Sequence, residues 1–231
     1  MSNSNQMFLE MFSDRERIAH YANGPRRFTP GIDAVHRMTG ILLAEHAPAD
    51  AHVLVLGAGG GLELKALAHA QAGWHFTGID PAGPMLDLAR TIMGKDADRA
   101  DLIEGYIDAA PAGPFDAATC LLTLHFLDRD ERLRTLSEMH RRMKSGAPLV
   151  VVHSSFPQDE PSRARWLSRY AAYAVASGAD PAQTEQARAA VAASLALLTP
   201  EEDEACLRNA GFHGVELFYA AFTWRGWVAC A

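Results

Sequence analysis

Three glycines and one acid carry the first chemical signal in this chain. Gly57, Gly59 and Gly61 follow an apolar run, and Asp80 closes a second apolar run nineteen residues after Gly61. Glycine lets a backbone turn sharply and lets a ligand approach the start of a helix with no side chain in the way. An acid about 20 residues farther on is placed to take the two hydroxyls of a ribose. The pattern points to an adenosine-type cofactor. The same residues also fit a plain strand-to-helix turn, with Asp80 capping the helix after Pro81. A carboxylate there repels a 2′-phosphate, which disfavours NADP. His125 and His153 fall at the ends of the fourth and fifth apolar strands, where open sheets bind ligands. Either can serve as a general base, against the commoner role of a hydrogen-bonded structural histidine.

These positions require alternating strands and helices. The sequence predicts strands at 53–56, 76–79, 102–104, 115–122 and 148–153, with helices between them. Asn23-Gly24-Pro25 reads as the break after a first helix at 8–21, and Thr29-Pro30-Gly31 as the turn into a second at 32–46. Two helices are expected between Pro161 and Leu198, parted near Ser177-Gly178-Ala179-Asp180-Pro181. Thr199-Pro200-Glu201-Glu202 has the form of a capping box. The last two strands, near 214–218 and 221–229, have no helix between them and must pair as an antiparallel hairpin. The expected fold is α/β: a Rossmann-like, doubly wound, seven-stranded sheet, mostly parallel with an antiparallel terminal hairpin. Its expected parts are a helical cap at 1–50, a cofactor-binding core at 51–155, a helical insertion or lid at 156–198, and a helix and β-hairpin at 199–231 that complete the sheet.

Composition narrows the function. The chain has 231 residues, 48% hydrophobic and 21% charged, which suits a soluble domain with a full core. A net charge of −7 disfavours general nucleic-acid binding. No apolar run reaches a membrane span, so no membrane association is expected. Cys120, Cys206 and Cys230 are far apart and without metal-ligand spacing, which suits a reducing cytoplasm and no metal site. Monomer and homodimer both remain open.

The order of motifs resembles the class I S-adenosylmethionine-dependent methyltransferases that act on small molecules. Val53 to Gly61 resembles the first motif of that family, and Gly78-Ile79-Asp80-Pro81-Ala82-Gly83-Pro84-Met85-Leu86 the second. Glu104 to Asp108 falls at the adenine-side segment, and Phe115 to Leu127 resembles the fourth-strand motif. Arg142-Met143-Lys144-Ser145-Gly146-Ala147 resembles the turn before strand five, and Ala210-Gly211-Phe212 the turn before strand six.

The resemblance implies S-adenosyl-L-methionine as cofactor and a buried small-molecule acceptor. It implies cofactor contacts at Gly57, Ala58, Gly59, Gly61, Asp80, Pro81, Met85, Tyr106, Ile107, Asp108, Leu121 and Leu122. Asp80 would hold ribose, Met85 would flank adenine, and Asp108 would receive the adenine amine beside Tyr106 or Ile107. His125 and His153 become candidate bases for an acceptor that loses a proton, Tyr21 a candidate aromatic cover, and Arg26 or Arg27 a candidate hold on an acidic acceptor. Trp166, Tyr170 and Tyr173 are expected in the core or contacts of the lid rather than on substrate. Many family members carry an acid where this chain has Val55, and Glu63 is a possible substitute. Two other readings stay open. The tail 217–229 is loosely similar to carboxy-S-adenosylmethionine synthases, which alter the cofactor itself, and Val55 leaves room for a cofactor-binding regulatory subunit without turnover.

Overall fold

The structure is a computed structural model and describes residues 24–231. The helix expected at 8–21 and Tyr21 lie outside the described residues. Gly24-Pro25, expected as a break, opens a short helix, α1 (Gly24–Phe28). Proline is tolerated in a first helical turn because its missing N–H would be unpaired there anyway.

The elements alternate as the sequence predicts. After α2 (Ile32–Ala44) come β1 (His52–Leu56), α3 (Leu62–Ala70), β2 (His75–Asp80), α4 (Gly83–Met93) and β3 (Ala100–Glu104). Then follow β4 (Ala117–Leu121), α5 (Arg129–Arg141), β5 (Pro148–Ser154), α6 (Glu160–Ala176), α7 (Pro181–Ser194), α8 (Pro200–Asn209), β6 (His213–Ala221) and β7 (Trp224–Cys230). Local chemistry sets these bounds. Asp128, Asp159 and Asp180 each accept a backbone N–H three residues on and so cap α5, α6 and α7. Thr199 and Glu202 form the complete capping box of α8.

The seven strands run in the order β3-β2-β1-β4-β5-β7-β6, with β7 antiparallel to both neighbours and the other pairs parallel. Strand β4 is shorter than expected, because Phe115 only bridges to Met143 before the ladder begins at Ala117. Connections from β1 run outward to β2 and β3, whereas β4 and β5 lie on the other side. The switch between β1 and β4 leaves a crevice at the carboxyl ends of these strands. Apolar side chains fill both faces of the sheet. Leu54, Phe115, Met139, Leu149 and Trp227 lie in the core on one face, and Val53, Val55, Leu64, Leu67 and Phe76 on the other.

The inserted helices form a small cluster of their own around Phe156, Leu167 and Leu197. No helix among the described residues is long and apolar enough to cross a membrane.

Candidate functional site

A cavity opens at the switch point. Its wall takes residues from the ends of β1 (Leu56), β2 (Ile79, Asp80) and β4 (Leu121), and from the loops that follow them. Of the residues expected at a cofactor, Gly57, Ala58, Gly59, Gly61, Asp80, Pro81, Met85, Tyr106, Ile107, Leu121 and Leu122 line this one cavity.

Asp80 joins two loops. Its Oδ2 accepts Gly59 N–H at 2.9 Å, and its Oδ1 accepts Ala82 N–H at 2.9 Å. Each carboxylate oxygen has a further lone pair for a ligand hydroxyl. Burial raises its pKa, and the two N–H donors partly offset that.

The glycines have a physical reason that the sequence did not reveal. A side chain at Gly57, whose φ is +82°, would stand 1.9 Å from Thr123 Oγ1. One at Gly61, φ +67°, would stand 2.6 Å from the Ala89 backbone. Protein packing, and not only a ligand, demands glycine at both. Leu122 is also held in the left-handed region, at φ 56°, where a non-glycine residue stores strain. Its N–H bonds Val152 O at 2.6 Å, which fixes it on the cavity wall.

Several expectations meet a different geometry. Asp108 is absent from the wall. Arg134 takes both its oxygens at 3.0 Å, so the carboxylate faces that guanidinium rather than an adenine amine. His125 and His153 are also absent from the wall and are buried inside the fold. His125 sits on the short helical turn Leu124–Phe126, with its ring against Phe126 and Trp224. Burial, helped by His153 and Arg132, drives its pKa well below the usual histidine range. His153 Nε2 lies 3.1 Å from Asp203 Oδ1, and Asp203 also pairs with Arg132. Arg132 in turn donates to Leu127 O at 3.2 Å and Ala196 O at 2.9 Å. Both histidines, expected as candidate bases, are interior groups that the cavity wall does not include. Burial opposes ionisation of Asp203, but His153 and Arg132 outweigh it and hold the carboxyl at about 2.

The insertion acts at second hand. None of its described residues lines the cavity. Tyr170 stacks on Phe28 at 5.4 Å, Tyr173 meets Phe222 at 5.8 Å, and Trp166 lies beneath Arg169 and Arg225. The insertion thus packs on α1, which offers Pro25 to the wall. Arg26 pairs with Asp33 at 3.1 Å.

Two groups in the wall reach beyond the sequence reading. His36, on α2, was missed altogether; it is 7% exposed, and burial pushes it down to about 4 against the pull of Asp33. Its signal was a polar residue within the apolar stripe Ile32, Val35, Leu43. Glu63, on the first turn of α3, was only a possible substitute for an acid at Val55. It is 8% exposed, and burial pushes its carboxyl up to about 7 while the Thr119 hydroxyl works the other way. Val55 is the register partner of Thr119, so the carboxyl approaches the place in the sheet where Val55 leaves no charge. Thr123, after β4, was also missed and lines the wall.

Comparison with known proteins agrees with this geometry. Residues 53–146 match the model of a methyltransferase domain. The chain carries a methyltransferase domain of the class I, S-adenosylmethionine-dependent type. Human N-acetylserotonin methyltransferase, solved with S-adenosylmethionine, superposes on the enzyme with a TM-score of 0.63 at 16% identity. That match covers 96% of the enzyme and 58% of the longer human chain. Among curated proteins, the enzyme is 27% identical to carboxy-S-adenosyl-L-methionine synthase of Chromohalobacter salexigens, over 94% of its own length and 82% of the relative. It is 22% identical to the protein of the same name from Aeromonas salmonicida, over 94% and 89%.

The cavity fits the cofactor on the enzyme's own residues. Asp80 offers lone pairs for two hydroxyls, Met85 and Ile107 give apolar surface for a base, and Glu63 Oε1 is buried with no hydrogen-bond partner among the described residues.

Proposed function

We propose that the enzyme transfers a methyl group to a small-molecule acceptor held in the cavity beyond Leu121, Leu122 and Thr123. S-adenosylmethionine brings a methyl group already activated on a sulfonium. The protein then needs mainly to align and desolvate the reactants. Asp80 would take the ribose hydroxyls, with Met85, Tyr106 and Ile107 around the base. The strained Leu122 would present its backbone near the sulfur. His36, uncharged at neutral pH, would accept a proton from an acceptor that must lose one. Tyr21 stays a candidate cover.

The observation that carries this reading is the wall itself, which among its described residues holds acids and a neutral histidine but no lysine or arginine. Such a wall suits a cationic methyl donor and offers no partner for an added carboxylate. Titration calorimetry with S-adenosylmethionine, followed by assay of acceptor pools for released S-adenosylhomocysteine, tests it. Absence of binding at millimolar cofactor refutes it.

A second reading has its own support, since curated relatives matched over nearly the whole chain are named carboxy-S-adenosyl-L-methionine synthases. Under it the enzyme would modify the cofactor. Mass spectrometry of the copurifying nucleoside separates the two: a carboxylated cofactor supports synthesis, and unmodified S-adenosylmethionine or S-adenosylhomocysteine supports methyl transfer.

A further inference from the structure

Three acids occur among the described residues of the cavity wall, and two are already engaged. Asp80 accepts two backbone N–H groups, and Glu131 is paired with Arg134. Glu63 differs. It lies on the first turn of α3, is nearly sealed from solvent, and keeps Oε1 without a hydrogen-bond partner among the described residues. Thr119 on β4 is its near polar neighbour, and the hydroxyl favours the carboxylate without making a well-formed hydrogen bond to Oε1. A buried acid normally has its oxygens satisfied, so a buried, unpaired carboxylate oxygen on a residue of the cavity wall points to a ligand group. S-adenosylmethionine carries a sulfonium and an ammonium, and no described lysine or arginine in the wall competes for the carboxylate.

We propose that Glu63 is the counter-charge for the positive end of S-adenosylmethionine and gives its proton to solvent as the cofactor enters. The inference rests on the cofactor and not on the acceptor, so it holds under either reading of the reaction. The groups around Glu63 are few. His36 on α2 shares the cavity and is neutral at pH 7, Asp80 on β2 shares it too, and Cys120 on β4 is a buried thiol. In the ligand-free enzyme burial holds Glu63 near its midpoint at neutral pH, titrating at about 7. A cation placed against it favours the carboxylate, so its pKa falls on binding and a proton leaves. Affinity must then weaken as pH drops below about 7, approaching tenfold per pH unit.

Calorimetry of the wild type, Glu63→Gln and Glu63→Asp with two probes tests this. The probes are S-adenosylmethionine and 5′-methylthioadenosine, which keeps the adenosine but lacks both charges. Buffers of different ionisation enthalpy report proton release. Glu63→Gln is expected to bind S-adenosylmethionine about tenfold to a hundredfold more weakly. It should lose both proton release and the acid-side pH dependence, with 5′-methylthioadenosine binding unchanged. Glu63→Asp should retain the proton release. Unchanged S-adenosylmethionine affinity in Glu63→Gln, or buffer-independent heats in the wild type, overturns the proposal. Equal loss of both probes also overturns it, by making Glu63 a fold support. A wild type that binds neither probe refutes the cofactor assignment itself.

Discussion

Two aspartates sit on the same sheet scaffold, Asp80 half-buried at the tip of β2 and Asp203 buried on α8, and their surroundings differ. Asp80 accepts two neutral N–H groups and faces the cavity, and burial leaves its pKa raised. Asp203 faces Arg132 and His153 in the interior and stays ionised down to about 2. An acid partnered by dipoles keeps lone pairs for a ligand. An acid held by charges in the interior is kept ionised and away from any ligand. The same contrast separates the histidines, since His36 opens to the cavity and His153 is locked to Asp203.

If that division is sound, substitutions on the two sides should have separable effects. The largest is expected from Arg132→Met, which leaves Asp203 buried without its guanidinium partner. It should lose about 3–5 kcal/mol of stability in urea denaturation. A loss under about 1 kcal/mol would mean that Asp203 is not held by charge. Asp80→Asn is expected to do the reverse. Cofactor affinity by calorimetry should fall about tenfold to a hundredfold, with little change in the denaturation midpoint. A large stability loss instead would erase the distinction between the two acids.

Acid denaturation sharpens the contrast further. Asp203 has a folded pKa below its unfolded value of about 3.9. Its contribution is therefore complete above pH 4 and lost as pH falls through about 2. The loss amounts to about 2–3 kcal/mol. Asp80 has the opposite sign, so acidification through the carboxylate range favours the folded state at that residue. In Asp203→Asn the stability decline between about pH 4 and about pH 2 should flatten, and in Asp80→Asn it should steepen. The smallest effect is expected from Thr199→Ala. It removes the cap of the helix that carries Asp203 and should lower stability by about 1 kcal/mol. Cofactor affinity should not move, and if it does, α8 and the cavity are coupled.

What the sequence made legible follows from range. The glycine turn with Asp80, the capping box at Thr199 and the closing hairpin are each written within a few neighbouring residues, and local geometry enforces them. The part of the cavity wall around Asp80 and Met85 was legible for the same reason. The charge cluster was not, because Arg132, His153 and Asp203 meet only when α5, β5 and α8 pack, and nothing along the chain marks them as partners. His125 and His153 looked available because they end strands, yet the chain turns them inward. Asp108 looked free until Arg134, on another element, took both oxygens. His36 was hidden in an apolar helix face, where its character changes only because a cavity lies against that face. The start of α1 at Gly24-Pro25 went unread because a dipeptide that can break a helix can equally open one.

The packing around Gly57 and Gly61 bears on how this fold would age. Thr123 and the Ala89 backbone occupy the space that a side chain there would need. A descendant that abandoned its cofactor would still have to keep both glycines in order to fold, so their survival is a poor witness to activity. Position 63 is under no such steric obligation, and a lineage losing its ligand would be free to let that acid drift to an apolar residue. The fingerprint that first draws the eye is thus the last to fade, and the acid one turn beyond it is the more sensitive record of use.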